Sequence, residues 1–258
     1  MSHEVSAIVS CYKGERYLPR FLQNYSEQSF FDRMEMVIDM NLPSAEEFSM
    51  VQKFQDEHPG RLRVLTTDKL LSFGASWNRC MRASDGEHVT IWNIDDLRTP
   101  TSIERQVETL SNGSDVAYGD YTVVNEFGSS EGRSVSFKGL PPEQFTRKFY
   151  LGPFFMFRRS LLNKAGMVDE QFMAASDFDL GVRLAFNGRV ERTEGGLGHY
   201  LDAGEGLSTR PDSPARLEAT AICLRYGVYD EIDFSLLPRL HPYNIFNALY
   251  DDAWHHVS

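Results

Sequence analysis

Val5-Ser6-Ala7-Ile8-Val9-Ser10 is a short apolar run rich in β-branched residues, the pattern of a strand buried on both faces. Gly14 interrupts it, and Tyr17, Leu18, Phe21, Leu22 and Tyr25 then recur at three- and four-residue spacing, which predicts an amphipathic helix. The alternation continues outward from this first strand and helix. Met34 to Asp39 reads as a second strand. Ser44 with Glu47 three residues on reads as a capping box, opening a helix with Val51 and Phe54 on its apolar stripe and Pro59-Gly60 at its stop. Arg61 to Thr66 is a third strand, and Phe73 to Ala83 a helix with Trp77, Cys80 and Met81 inward. Asp85-Gly86 makes a turn, and His88 to Ile94 is a fourth strand. Thr99-Pro100 opens another helix, with proline at its first position and Ile103, Val107 and Leu110 on one face. Val116 to Tyr118 and Thr122 to Val124 read as two further strands. Such alternation predicts an α/β fold with a mostly parallel central sheet flanked by helices.

The second half is less periodic. Gly139-Leu140-Pro141-Pro142 reads as a loop, Phe154 to Phe157 as an aromatic strand, and Ser160 to Ala165 as a short helix stopped by Gly166. Asp177 to Phe186 is helical and ends at Asn187-Gly188. Glycines cluster from Gly195 to Gly206, Ser213 to Tyr226 is helical, and beyond Asp230 the pattern suggests an irregular packed extension. The expected organisation is one α/β domain over 1–210, with a helical extension over 211–258 packed on it.

Composition narrows the function classes. Apolar residues make up 41% of the 258, enough for a sizeable core, and a net charge of −11 argues against nucleic acid as a partner. Cys11, Cys80 and Cys223 are far apart and odd in number, with neither zinc-ligand spacing nor a disulfide framework, so a reducing compartment is expected. The first residues carry no basic stretch leading into an apolar one, and no run of about 18 apolar residues occurs. A cytoplasmic protein without a transmembrane segment is expected, and the glycosylation patterns at Asn24 and Asn112 are read as chance.

Carboxylates carry the chemistry. In a parallel sheet, ligands bind beyond the carboxyl ends of the strands. Ser10-Cys11-Tyr12, Asp39 and Asn93-Ile94-Asp95-Asp96 all fall at such ends. Asp95 and Asp96 suit a hard cation with a diphosphate completing its shell, or are loop residues near the next helix N-terminus. Asp177 and Asp179 open a helix: either they complement its dipole, or one is a general base raised by burial and neighbouring acids. His199 and the pair His255-His256 are the histidines to weigh as ligands, and a lone histidine is more often structural. Gly195-Gly196-Leu197-Gly198 neither closes a first strand nor opens a helix, so it is no dinucleotide fingerprint, and no P-loop or His-Glu-x-x-His occurs.

Five segments in order give the chain a resemblance to family 2 glycosyltransferases, which have the GT-A fold. They are Val5 to Tyr12 with Tyr17-Leu18 and Gln28; Val37-Ile38-Asp39 with Ser44; Gly74-Ala75-Ser76-Trp77-Asn78 with Ala83 to Glu87; Asn93-Ile94-Asp95-Asp96 with Pro100; and Gly152 to Arg159 with Gly166, Asp169-Glu170, Ser176 to Leu180 and Arg183-Leu184. The resemblance implies an inverting transferase that takes a sugar from a nucleotide-sugar donor, most often UDP-linked, with Mn²⁺ or Mg²⁺ as cofactor. It implies a glycan or lipid-linked acceptor, surface polysaccharide assembly as a setting, and peripheral membrane contact as an option. Asp177 would be the acceptor-activating base; Ser10, Tyr12, Asp39, Asn78 and Asp95 would hold the nucleotide sugar; Asp96 with Asp95 would bind the metal. The chain departs from the family pattern in Lys13, in Met40-Asn41-Leu42-Pro43, in Asn93 and Ser176 where acids are common, and in Ala203 where histidine is common. Asn93 and Ala203 keep open a GT-A domain that binds without turnover. A nucleotidyltransferase would need a Gly-rich basic loop, and Gly14 with Lys13 and Arg16 is a poor one.

Overall fold

In the computed structural model, which describes residues 3–136, 139–204, 206–207 and 209–246, the opening run forms β1 (Val5–Cys11). It lies between two parallel neighbours, β2 (Met34–Asn41) and β4 (His88–Ile91), and β3 (Leu62–Thr67) flanks β2 in parallel. Side chains alternate across β1. Val5, Ala7, Val9 and Cys11 enter one apolar cluster with helices α1 (Leu18–Ser26), α2 (Ala45–Glu57) and α4 (Ser102–Ser111). Ile8 enters the other, with α3 (Phe73–Ala83) and the later helices α5 (Leu162–Ala165) and α6 (Ser176–Asn187). Both faces of the sheet are therefore covered, which is why its central strands carry unbroken apolar runs.

The sheet continues past β4 with mixed polarity. Its order is β3-β2-β1-β4-β8-β6-β9-β5, with β8 at Met156–Arg158, β6 at Val116–Val124, β9 at Val190–Leu201 and β5 at Leu97–Arg98. β8 is antiparallel to both β4 and β6, β9 is parallel to β6, and β7 (Arg133–Val135) pairs antiparallel with β6 off the main path. The fold class read from the sequence holds, with this antiparallel admixture on one side.

Local details follow the chemistry of single residues. The capping box forms in full: Glu47 N–H donates to Ser44 Oγ at 3.1 Å, and Ser44 N–H to Glu47 Oε2 at 2.8 Å. Pro100 does not start α4, because Thr101 is the N-cap and the Pro100 carbonyl accepts from Ser29 N–H instead. The two short strands expected near 116–124 are one strand with register shifts around Gly119 and Asp120. The glycine cluster, to which the sequence assigned no element, lies largely in strand β9. At Gly198 a Cβ would stand 2.5 Å from the Leu97 carbonyl and 2.6 Å from the Phe154 ring, so glycine there permits a close approach within the sheet.

After β9 comes α7 (Ala215–Arg225), which packs Ala221, Ile222 and Cys223 against Phe178 and Val182 of α6. Asp179 of α6 lies at the centre of a buried polar network. Its Oδ2 accepts from Arg183 Nη2 at 2.7 Å, and its Oδ1 accepts from Arg225 Nη1 and the Tyr226 hydroxyl, each at 2.8 Å. His255, His256 and the rest of the aromatic tail beyond 246 lie outside the described residues.

Candidate active site

β1 and β4 end side by side, and the chain turns sharply after each. Trp92 N–H still donates to the Ile8 carbonyl at 3.0 Å, and the turn closes with Asp96 N–H donating to the Asn93 carbonyl at 3.2 Å. The loop after β1 is held from another element. Glu47, already part of the α2 cap, also accepts the Gly14 N–H, while Lys13 takes a left-handed backbone with φ of 52°. These constraints present Tyr12, 40% exposed, at the rim of a cleft of about 240 Å³.

Ser10, Tyr12, Asn93 and Asp95 line one side of that cleft. Met173, Ala174, Ser176 and Asp177 line the other, and Phe73, Trp77 and Tyr200 add aromatic wall. Of the residues singled out from the sequence, Ser10, Tyr12, Asp95 and Asp177 come together. Three others do not line it. Asp39 is fully buried, pairs in register with Ser10, and accepts from Ser76 Oγ at 2.9 Å. Arg79 Nη1 also lies 3.1 Å from Asp39 Oδ1, but that oxygen has no aligned hydrogen bond. Asn78 is consumed by the fold: its amide donates to Val168 O and Glu170 Oε1 and accepts from Val168 N–H. Asp96 is 1% exposed, with Oδ1 accepting from Leu201 N–H and Oδ2 from the Asn93 amide, each at 3.1 Å. Of this pair the cleft-facing carboxylate is thus Asp95, and Asp96 sits behind it.

The electrostatics follow from burial. Asp177 is half-buried, and burial with the nearby Glu218 charge raises its carboxyl to about 6, against two backbone N–H donors that lower it. Burial raises Asp95, and burial together with Asp95 raises Asp96 well above the usual carboxylate range. Two adjacent acids that resist ionising are a donor set that a cation would relieve. Asn93 commits its amide nitrogen to Asp96, leaving its carbonyl oxygen as a second hard donor beside Asp95. Beneath them Arg98 is fully buried between the rings of Trp92 and Phe154, 5.1 and 5.2 Å from their centroids. Burial brings its pKa down to about 9, with Asp96 acting in the opposite direction.

His199 pairs in register with Leu97 and is not among the cleft-lining residues. His3, Glu35 and Asp85 also bring ligand atoms together, but Arg63 lies 3.7 and 3.6 Å from the two carboxylates and already supplies the positive charge. A second cavity, of about 490 Å³, is lined by Arg105, Arg189 and Arg192, whose guanidiniums are committed to Gly196 O, Glu191 and Asp120. Sequence reasoning took Trp77 for core and did not identify Phe73, Tyr200 or Glu218. Trp77 sits on the apolar stripe of α3, so its place at the cleft wall has no separate signal in the sequence.

Residues 6–166 match the family model described as glycosyl transferase family 2. An uncharacterized glycosyltransferase of Methanocaldococcus jannaschii is 22% identical over 190 residues, which cover 71% of this chain and 65% of that protein. The structure of S. aureus TarS 1–349 in complex with UDP-GlcNAc aligns with a TM-score of 0.73 at 18% identity, over 98% of this chain and 73% of that one. The mannosyltransferase PcManGT from Pyrobaculum calidifontis, in complex with GDP-Man and Mn²⁺, aligns at 0.61 and 18%, over 94% and 69%. These likenesses show the GT-A fold. The chain spans less than two thirds of the archaeal relative and 41% of the longer S. aureus TarS chain.

Proposed function

Since the chain belongs to glycosyl transferase family 2, we propose that it transfers a sugar, with inversion, from a nucleotide-sugar donor to a hydroxyl acceptor. The observation that carries this is a cleft with a raised carboxyl, Asp177, on one wall and Asp95 with Asn93 on the other. A carboxyl near 6 is mostly ionised at neutral pH yet basic enough to take the proton from an acceptor hydroxyl as its oxygen attacks the anomeric carbon. Attack from the Asp177 wall, with the diphosphate leaving toward the Asp95 wall, inverts the configuration. Tyr12 and Ser10, on the loop after β1, are suited to hold the nucleoside. The aromatic wall of Phe73, Trp77 and Tyr200 offers apolar surface against which a bound donor would shed water.

Asp95 and Asn93 would hold Mn²⁺ or Mg²⁺, and Asp96 would orient Asn93 from behind. A bound cation would offset the charge growing on the departing diphosphate. The UDP and UDP-GlcNAc complexes of TarS support a UDP-sugar donor, and the GDP-Man complex of PcManGT makes GDP the first alternative. The three free, buried thiols suit a reducing compartment. Among the described residues no helix is long and apolar enough to cross a membrane. A lipid-linked or glycan acceptor reached at a membrane surface is part of this reading.

The test is thermal stabilisation by a panel of nucleoside diphosphates, with and without Mn²⁺. A ligand at a hundredfold excess over its Kd stabilises the fold by about 2.7 kcal/mol. A shift with UDP that grows with Mn²⁺ is expected. Asp95→Ala should remove the metal-dependent part and leave the unliganded melting temperature near wild type. Asp96→Ala should instead destabilise the fold by about 1–3 kcal/mol, because it leaves the Leu201 N–H buried without an acceptor. A stable Asp96→Ala protein that has lost the Mn²⁺ effect, beside an Asp95→Ala protein that keeps it, would return the metal to Asp96. No shift with any nucleotide would favour a GT-A domain that binds another partner without turnover, the reading that Asn93 and Ala203 keep open.

A further inference from the structure

We propose that Glu218, on α7, is a positioning residue for transfer: its carboxylate fixes the segment 173–175 that leads into α6, and so sets where Asp177 stands in the cleft. The inference rests on Asp177 being the general base.

Glu218 is fully buried and accepts three successive backbone N–H groups, from Met173 at 2.8 Å, Ala174 at 2.8 Å and Ala175 at 2.9 Å. Consecutive amides converging on one carboxylate form a strong, charge-assisted anchor. What they anchor is the cleft wall itself, since Met173 and Ala174 line it and Asp177 follows two residues after Ala175. No local device does this work. Ala175 is the N-cap of α6 and has no side chain to cap it, so the helix start is held from a different helix, more than 40 residues along the chain. The opposite end of α7 braces α6 at a second level, where Arg225 bridges Asp169 and Asp179. Tyr243 donates its hydroxyl to Glu218 at 3.3 Å and stacks on Phe172, closing the anchor from the C-terminal side.

Burying an acid here also has an electrical consequence. The Glu218 charge is one of the causes that raise Asp177, after burial. Of the other charged groups nearby, Asp95 lines the far wall of the cleft, and Asp179 is committed to Arg183 and Arg225. A neutral acceptor could hold the loop but would not tune the base.

The test uses the full chain, with UDP as the binding probe and, as the rate, UDP released from the UDP-sugar, UDP-GlcNAc first, that the wild type turns over fastest. Glu218→Gln is expected to keep UDP affinity within about twofold, to lower kcat by about tenfold or more, and to move the acid limb of the rate profile below that of the wild type. Glu218→Asp keeps the charge but falls short of the loop, so kcat should drop while the limb moves little. A denaturant double-mutant cycle adds a readout without turnover: the stabilisation expected from Asp177→Asn should shrink in the Glu218→Gln background. Wild-type kcat and an unmoved limb in Glu218→Gln would overturn the proposal, as would a loss of UDP affinity that matches the loss of rate. If Glu218→Gln does not fold, Glu218→Asp decides: full kcat overturns the role. An Asp177→Asn protein that still turns over at the wild-type rate overturns the base assignment itself, whatever the Glu218 variants do.

Discussion

Asp177→Asn should lower the transfer rate by about 10²–10⁴-fold, leave UDP affinity nearly unchanged, and raise the melting temperature at pH 7.5. The rate loss follows from removing the proton acceptor while keeping shape and hydrogen-bonding capacity. The gain in stability follows from the direction of the carboxyl's shift. Its folded value, about 6, lies above the ordinary aspartate value of 3.8, so folding favours the protonated form between those values. Wild-type stability therefore declines as pH rises through that window and stays at the lower level above it. Asparagine carries no such penalty. The variant should be more stable by about 1–3 kcal/mol at pH 7.5 and should converge with wild type near pH 4. Wild-type transfer should rise through an acid limb near pH 6, where the base loses its proton. Paired melts at the two pH values and a rate profile of the wild type check all three. A variant less stable than wild type at pH 7.5 would mean that Asp177 is held ionised by partners and is not poised as a base.

Asp179→Asn, two residues further on, should do the opposite and destabilise the fold by about 3–5 kcal/mol. That corresponds to a drop in melting temperature on the order of 10 °C for a domain of this size. Arg183 and Arg225 are both buried, and Asp179 is the acid they share. Burial works to raise this carboxyl, but Arg183, Arg225 and the Tyr226 hydroxyl outweigh it, and the net direction is down. Its contribution is then present above the ordinary carboxylate value and is lost as pH falls through the lowered one. The wild type should lose stability in acid that the variant has already lost at neutral pH. Urea melts across pH 3–7 check this. An unchanged midpoint for Asp179→Asn would show that the two arginines find other acceptors.

These two aspartates show what the chain's order of residues could and could not convey. Both open a helix and both are acids in a first turn; the residue pattern left either as a partner of the helix dipole or a base, and only the family resemblance pointed to Asp177. They are two positions apart on a helix, so they point to nearly opposite faces. One meets the cleft and the other meets two arginines, from the same helix and from α7. Only the docking of α7 separates a raised carboxyl from a depressed one. The acid pair after β4 has the same history. Its set of hard oxygen donors is legible in Asn93-Ile94-Asp95-Asp96, but which carboxylate faces the cleft depends on Leu201 arriving from β9 to take Asp96. Asn78 lies in a motif segment and is spent on Val168 and Glu170 of a distant loop.

Much of the fold was readable because its signals are local. The β-branched run of β1, the Ser44–Glu47 capping box and the apolar stripes of α1, α3 and α4 each act within a few residues, and each forms where the spacing puts it. Strand β9 was not readable, since its glycines weaken every local preference and its existence depends on partners in β6 and β5. By itself, then, the sequence determined the alternation, the two covered faces of the sheet and the strand ends that border the cleft, because period and turn chemistry are properties of neighbouring residues. The tertiary structure alone decided which carboxyl is raised, which is paired and which meets the cleft. Ionisation is set by burial and by charges that come close only when segments far apart in the chain pack together.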